Sequence, residues 1–182
     1  MATAVKPSST EAHDTFPING TDYIEFYVGN AKQSALYYRA AFGFQLVGYR
    51  GPETGVRDRA SYLLQQDKVR FVLTSALGPE GPIAQHVALH GDGVRDLAFW
   101  VDDARDAHAK AVERGARSVQ APTVIKDEQG EIVIAAIATY GDTIHSIVER
   151  KNYKGLFMPG FVAATSDFVS QGVGLKYVDH CV

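Results

Sequence analysis

The chain has 182 residues, 46% of them apolar and 21% charged, with a formal net charge of -3. That is the composition of an ordinary soluble globular protein, with room for one good core or two small packed repeats. Its charge offers no footprint for nucleic acid or anionic lipid, and no apolar run approaches the roughly 18 residues that cross a bilayer. The N-terminus lacks the apolar core of a secretory signal, and a single cysteine, Cys181, precludes an intrachain disulfide. A reducing, cytoplasmic setting is the expectation.

Residues 1–21 are rich in Ser, Thr, Ala and Pro and are expected to form a disordered tail. In YIEFYVG the alternation of Ile24, Phe26 and Val28 predicts a half-buried strand. Asn30 is placed to cap a helix carrying Ala31, Ala35, Tyr38 and Phe42 at helical spacing, and Gly43 to stop it. Three strand-like runs follow, FQLVGYR, ASYLLQQ and KVRFVLTSA. After a stretch of Gly, Pro and His over residues 77–93, the pattern restarts. DLAFWV reads as a strand, Asp103 caps a helix with Asp106 as its reciprocal partner, and Gly115 ends it. Runs around SVQAPTVIK, EIVIAAIAT and DTIHSIVER complete a second set of three strands.

The fold class is therefore α+β, two tandem βαβββ modules with mixed, curved sheets, at about 22–76 and 94–151 within a domain spanning 22–151. Residues 152–174, punctuated by Gly and Pro, read as a linker across the surface. The last hexad, YVDHCV, matches YIEFYV and DLAFWV, so residues 175–182 read as the first strand of a third, truncated module.

In that register His180 stands where the sister strands carry Phe26 and Phe99, and faces the concave side of its sheet. A buried histidine satisfied by a backbone group is one account. Packing evidently accepts phenylalanine there, however, and an inward imidazole is the commonest metal ligand. His86 and His90 sit four apart but lack the glutamate after the first histidine that zinc proteases need, so a short polar helix is preferred. His108 falls on a helix flank, and His145 and Ser146 alternate to opposite faces of a strand. There is no nucleophile elbow, Walker loop or dinucleotide fingerprint, and Tyr37 and Tyr38 diverge around their helix.

The paired modules resemble the vicinal-oxygen-chelate superfamily. FYVGNAKQSALYYRAAFGFQLVGYRGPETG, RFVLTSA, HGDGVRDLAFWVDDA, AAIATYGDTIHSIVERKNYKGLFMPGF and YVDHCV resemble, in order and spacing, the N-terminal part of the 4-hydroxyphenylpyruvate dioxygenase family. The resemblance implies an Fe(II) enzyme whose C-terminal modules hold the metal through two histidines and a glutamate. His180 would be the first ligand, and no catalytic residue would lie within this chain. The implied partners are a small 2-oxo acid, 4-hydroxyphenylpyruvate, and dioxygen, giving homogentisate and CO2 in tyrosine catabolism. A homo-oligomer is expected, with no nucleic acid or membrane partner. The N-terminal half would be a metal-free relic, with Phe26 and Phe99 in the histidine positions and Ser146, four before Arg150, in the glutamate position. A 4-hydroxymandelate synthase and a stand-alone binding protein of the superfamily are the alternatives, and the start of a third module speaks against the latter.

Overall fold

The computed structural model describes residues 16–181. The rest of the expected tail, residues 1–15, and Val182 lie outside the described residues. The first strand, β1 (Gly20–Tyr27), starts two residues earlier than its sequence suggests, and α1 (Ala31–Phe42) follows. Then come β2 (Gln45–Arg50), β3 (Arg59–Gln66) and β4 (Val69–Ala76). A short helix, α2 (Pro82–His90), leads into the second module: β5 (Gly93–Trp100), α3 (Ala104–Glu113), β6 (Ser118–Asp127), β7 (Gly130–Ala138) and β8 (Ile144–Glu149). A last two-residue strand, β9 (Val162–Ala163), pairs with β2.

Local chemistry explains the helix ends. The Asn30 side chain accepts from the Gln33 amide at 3.0 Å, and Asp103 accepts from Arg105 and Asp106, leaving fewer orphan donors in each first turn. Asp106 instead pairs with Lys110 one turn on, at 2.6 Å. Gly43 takes the left-handed conformation that ends α1. Each helix then lays small residues on the sheet: Ala31 and Ala35 over Leu64 and Leu73, Ala104 and Ala107 over Val133 and Ile147.

Both modules share one nine-stranded sheet, order β6-β7-β8-β5-β1-β4-β3-β2-β9. Within each module the first strand runs parallel to the last, and the modules join where β1 meets β5 antiparallel. With α1 and α3 on one face, the other face needs its own cover. It is supplied by residues 152–161, which were expected to cross the surface as a linker. Phe157, Met158 and Phe161 are 2%, 8% and 9% exposed and pack with Tyr23, Leu63 and Val72 of one module and Ala98, Ile132 and Val148 of the other.

The entry of this plug is fixed by charge. A bulge between Thr21 and Tyr23 lets Asp22 as well as Tyr23 turn inward, where an unbroken strand would separate them. Asp22 accepts from Arg150 Nε at 2.9 Å and from Arg70 Nη1 at 2.9 Å, and Arg150 donates onward to the Phe157 carbonyl. The Phe157 ring meets Tyr23 edge-on at 5.4 Å and Phe161 at 5.1 Å.

The expected opening strand of a third module is absent from the described residues. Lys176–Cys181 runs without ladder partners. Alternation alone does not make a strand, which needs a neighbour to receive its backbone groups.

If the plug is core, Phe157→Ala should cost about 3–5 kcal/mol in urea unfolding, whereas Tyr140→Ala at a position 87% exposed should stay within about 0.5 kcal/mol. A loss below about 1 kcal/mol for Phe157→Ala would show that the plug merely rests on the sheet.

Candidate functional site

Strand alternation decides which side chains meet on the plugged face. Phe26 on β1 and Val28 just after it join the α1 cluster, Phe26 meeting Tyr38 at 5.9 Å and Phe71 at 5.0 Å. Phe99 on β5 meets the tilted His145 ring at 5.0 Å, and the next residue in that row of β8, Ile147, lies under α3. Phe26 and Phe99 therefore occupy the helix-bearing face, not the concave one. The expectation that they fill concave positions fails because the apolar row of each hexad is the row that packs beneath a helix.

The concave face carries polar groups at the same seam. Tyr23 Oη donates to Asp96 Oδ2 at 2.9 Å; Ser146 donates to the same oxygen through Oγ at 2.5 Å and to Oδ1 through its amide at 2.9 Å. All three are at most 5% exposed. Glu25 stands opposite Asp96 in the β1–β5 register and accepts from Thr74 Oγ1 at 2.6 Å, which in turn meets Ser61 Oγ at 2.8 Å. A guanidinium, Arg50, lies over Phe161 at 4.8 Å on the same side. Every polar atom of Tyr23, Asp96 and Ser146 is answered by hydrogen bonding, as deep burial demands.

Burial pushes the Asp96 carboxyl up, only partly offset by the bonds from Ser146 and Tyr23. Burial also raises Glu25, against the opposing bond from Thr74, and Asp96 adds to the rise. The Tyr23 phenol is held well above its usual range by burial and then by Asp96. Such a set spends its hydrogen-bonding groups on one another. With the plug filling the face, it reads as a closed polar knot rather than a working site.

Sequence reading passed over Tyr23, Glu25 and Asp96. A signal existed: Tyr23 precedes the cap Asn30 by seven residues, and Asp96 precedes the cap Asp103 by the same seven. The terminal valines Val28 and Val101 give the same pairing; what the hexads lacked was the direction in which each row faces.

The histidines are dispersed. His86 and His90 share α2, with ring centroids 4.7 Å apart; His90 Nε2 meets Asp142 at 2.9 Å. Desolvation lowers the His86 pKa, and His90 and Arg95 lower it further. His108 is buried against Ser118 Oγ at 2.9 Å, deeper than a flank position suggests. His145 and Ser146 do face opposite ways. His180 is exposed, with Nδ1 at 2.7 Å from Asp179 Oδ2. Among the described residues, no three His, Cys, Asp or Glu side chains converge on a point that would hold a metal ion.

A family model described as hydroxyphenylpyruvate dioxygenase, N-terminal, matches residues 13–159. A 4-hydroxyphenylpyruvate dioxygenase of Yarrowia lipolytica is 40% identical over 97% of this chain and 47% of its own length. One from Caenorhabditis elegans is 46% identical over 88% of this chain and 42% of its own. The chain spans about half the length of the curated relatives it matches. Among solved structures, a 4-hydroxymandelate synthase variant from Streptomyces coelicolor superposes with a TM-score of 0.74 at 31% identity, covering 86% of this chain and 45% of that one. A methylmalonyl-CoA epimerase from Mycobacterium tuberculosis, 20% identical with a TM-score of 0.59 over 72% of this chain and 88% of its own, shares the fold. The chain belongs to the hydroxyphenylpyruvate dioxygenase family, of which it matches the N-terminal domain.

The knot generates a pH prediction. The folded pKa values of Glu25 and Asp96 lie above the unfolded ones, so the folded chain binds more protons across that interval. Their contribution to stability is full below the ordinary carboxylate range and is lost as pH rises through the raised values. Glu25→Gln keeps the acceptor for Thr74 and cannot ionise. It should flatten the fall in urea midpoint as pH rises above 4.5, the ordinary value for this carboxyl. An unchanged slope would remove Glu25 from that account.

Proposed function

We propose that this chain is the non-catalytic N-terminal domain of an iron- and oxygen-dependent enzyme that converts 4-hydroxyphenylpyruvate to homogentisate and CO2. The step belongs to tyrosine breakdown. The family match over residues 13–159 carries the reading.

The polar knot supports it in a second way. In the family pattern the working pair of modules takes one histidine from the first strand of each module and a glutamate from the last strand of the second. Here the concave residues on the two first strands are Tyr23 and Asp96, and Ser146 on the last strand touches Asp96 directly. We read Tyr23, Asp96 and Ser146 as the three ligand positions of a pair of modules that holds no iron. A phenol that keeps its proton for Asp96 and a serine hydroxyl are weak donors to iron(II) beside imidazole and carboxylate, and the one carboxylate is committed to three hydrogen bonds.

Because Phe26 and Phe99 lie on the helix-bearing face, we read His180 as the counterpart of the concave Tyr23 and Asp96. Its donor chemistry suits a ligand: Nδ1 faces the Asp179 carboxylate, which fixes the tautomer and leaves Nε2 outward. One imidazole does not define a metal site, and among the described residues no other ligand group joins it. Bound iron would supply open positions for a 2-oxo acid and for dioxygen. The residues of this chain would contribute His180 as one ligand, Asp179 to orient it, and a sealed domain behind it.

A second reading, 4-hydroxymandelate synthase, is favoured by the 31% identical structural neighbour of that name. Product analysis separates the two. The complete protein given iron, 4-hydroxyphenylpyruvate and dioxygen should release homogentisate; 4-hydroxymandelate would establish the second reading. His180→Ala should lower turnover by more than about 100-fold and release iron, since ligand loss exceeds the effect of altering an orienting partner. Full iron occupancy in that variant would exclude His180 from the metal.

A further inference from the structure

After the plug, the chain returns to the first module and lies across it as a strap. Side chains of that module hold the strap by its backbone. Arg39 Nη2 donates to the Phe168 carbonyl at 2.6 Å while its guanidinium stacks on the Phe168 ring at 5.0 Å. Gln45 Nε2 donates to the Ser170 carbonyl at 2.7 Å. The densest contact is made by Gln66 at the end of β3. Its carboxamide oxygen receives three successive amides, from Val173, Gly174 and Leu175, at 2.9, 3.0 and 3.2 Å. Its nitrogen donates to the Phe42 carbonyl at 2.7 Å, which fixes the orientation of the amide. Lys176 then reaches Asp67 at 3.2 Å.

We infer that Gln66 is a positioning residue for the segment Tyr177–His180, setting the point and direction from which His180 leaves the first module. The inference rests on the reading of His180 as an iron ligand.

Geometry favours this role over plain adhesion. Three consecutive N–H groups converge on one oxygen only if the chain curls tightly, so Gln66 sets a local path as well as a location. Gly174 takes a φ of +86° within the curl, a conformation glycine adopts freely. Gly172 passes so near that a Cβ there would lie 3.2 Å from the Gln66 oxygen. Bonds aimed at main-chain atoms fix position whatever side chains the strap bears. Only three residues stand between Lys176 and His180, a reach of at most about 14 Å. Error at the clamp therefore passes to the imidazole with little slack.

Two substitutions separate positioning from bulk stability. Gln66→Leu removes the acceptor and the donor; Gln66→Glu keeps an oxygen for the three amides and exchanges the donor to the Phe42 carbonyl for a second acceptor. In the complete protein, hydrogen exchange of peptides covering residues 170–176 should accelerate at least about tenfold in Gln66→Leu and stay near wild type in Gln66→Glu. The iron dissociation constant, measured by chelator competition, should rise about tenfold in Gln66→Leu and recover in Gln66→Glu. Unchanged exchange in Gln66→Leu overturns the clamp. Accelerated exchange with unchanged iron affinity overturns the positioning role, provided His180→Ala in the same assay loses iron. If His180→Ala keeps its iron, the reading of His180 fails and the positioning role falls with it, while the exchange data still decide whether the clamp exists.

Discussion

A sheet that carries its helices on one side must find another cover for the opposite side, and the rest of this structure follows from how that is met. Phe157, Met158 and Phe161 supply the cover, reaching Leu63 on β3 and Ile132 on β7 at once. In a flat sheet those strands would be five spacings apart, about 24 Å. Three side chains serve both ends because the sheet bends around them. The cover requires the chain to double back after β8, and the Asp22–Arg150 pair, buried on the carboxylate side, sets where it turns. Duplicated modules of this kind create a concavity; here it is filled from within the same chain.

The polar knot survives beneath that cover because its members satisfy one another. Leaving any of them unpaired would cost about 1–3 kcal/mol each, more for a charge. Asp96 avoids the worst of this by receiving three hydrogen bonds, which oppose the upward push of burial on its pKa. The knot also spans the β1–β5 seam, so it specifies how the modules register against each other, a property that interchangeable apolar contacts on either side would supply less sharply.

Much of this was legible in the residues. Asn30, Asp103 and Gly43 sit at the helix ends they announce, and the strand runs fall where alternation and β-branched content put them. The duplication needed only the recurrence of strand, cap and helix. Facing was harder. Along β1 and its end neither row is exposed, with Phe26 and Val28 beneath a helix, Tyr23 beneath the plug and Glu25 half-buried, and alternation then has no exposed row to set the direction. Glycine and proline in 152–161 signal irregular backbone and say nothing about whether its aromatics go in or out. His180 was found by comparing hexads, and that comparison set it opposite Phe26 and Phe99, which the structure puts on the helix-bearing face.

The strap has a consequence in chain entropy. Its contact between Gln66 and Val173 joins residues 107 apart, and closing a free loop of that length costs roughly 4 kcal/mol before any constant term. A few hydrogen bonds exposed to solvent would scarcely meet that in an open chain. Once the second module has folded against β1, its two ends are already held near the first module, and only the short stretch after β8 remains to be ordered. The clamp is therefore conditional: it closes on a finished domain and opens if either module comes apart. Whatever follows residue 176 thus receives a fixed starting point only when the whole of the domain behind it is intact.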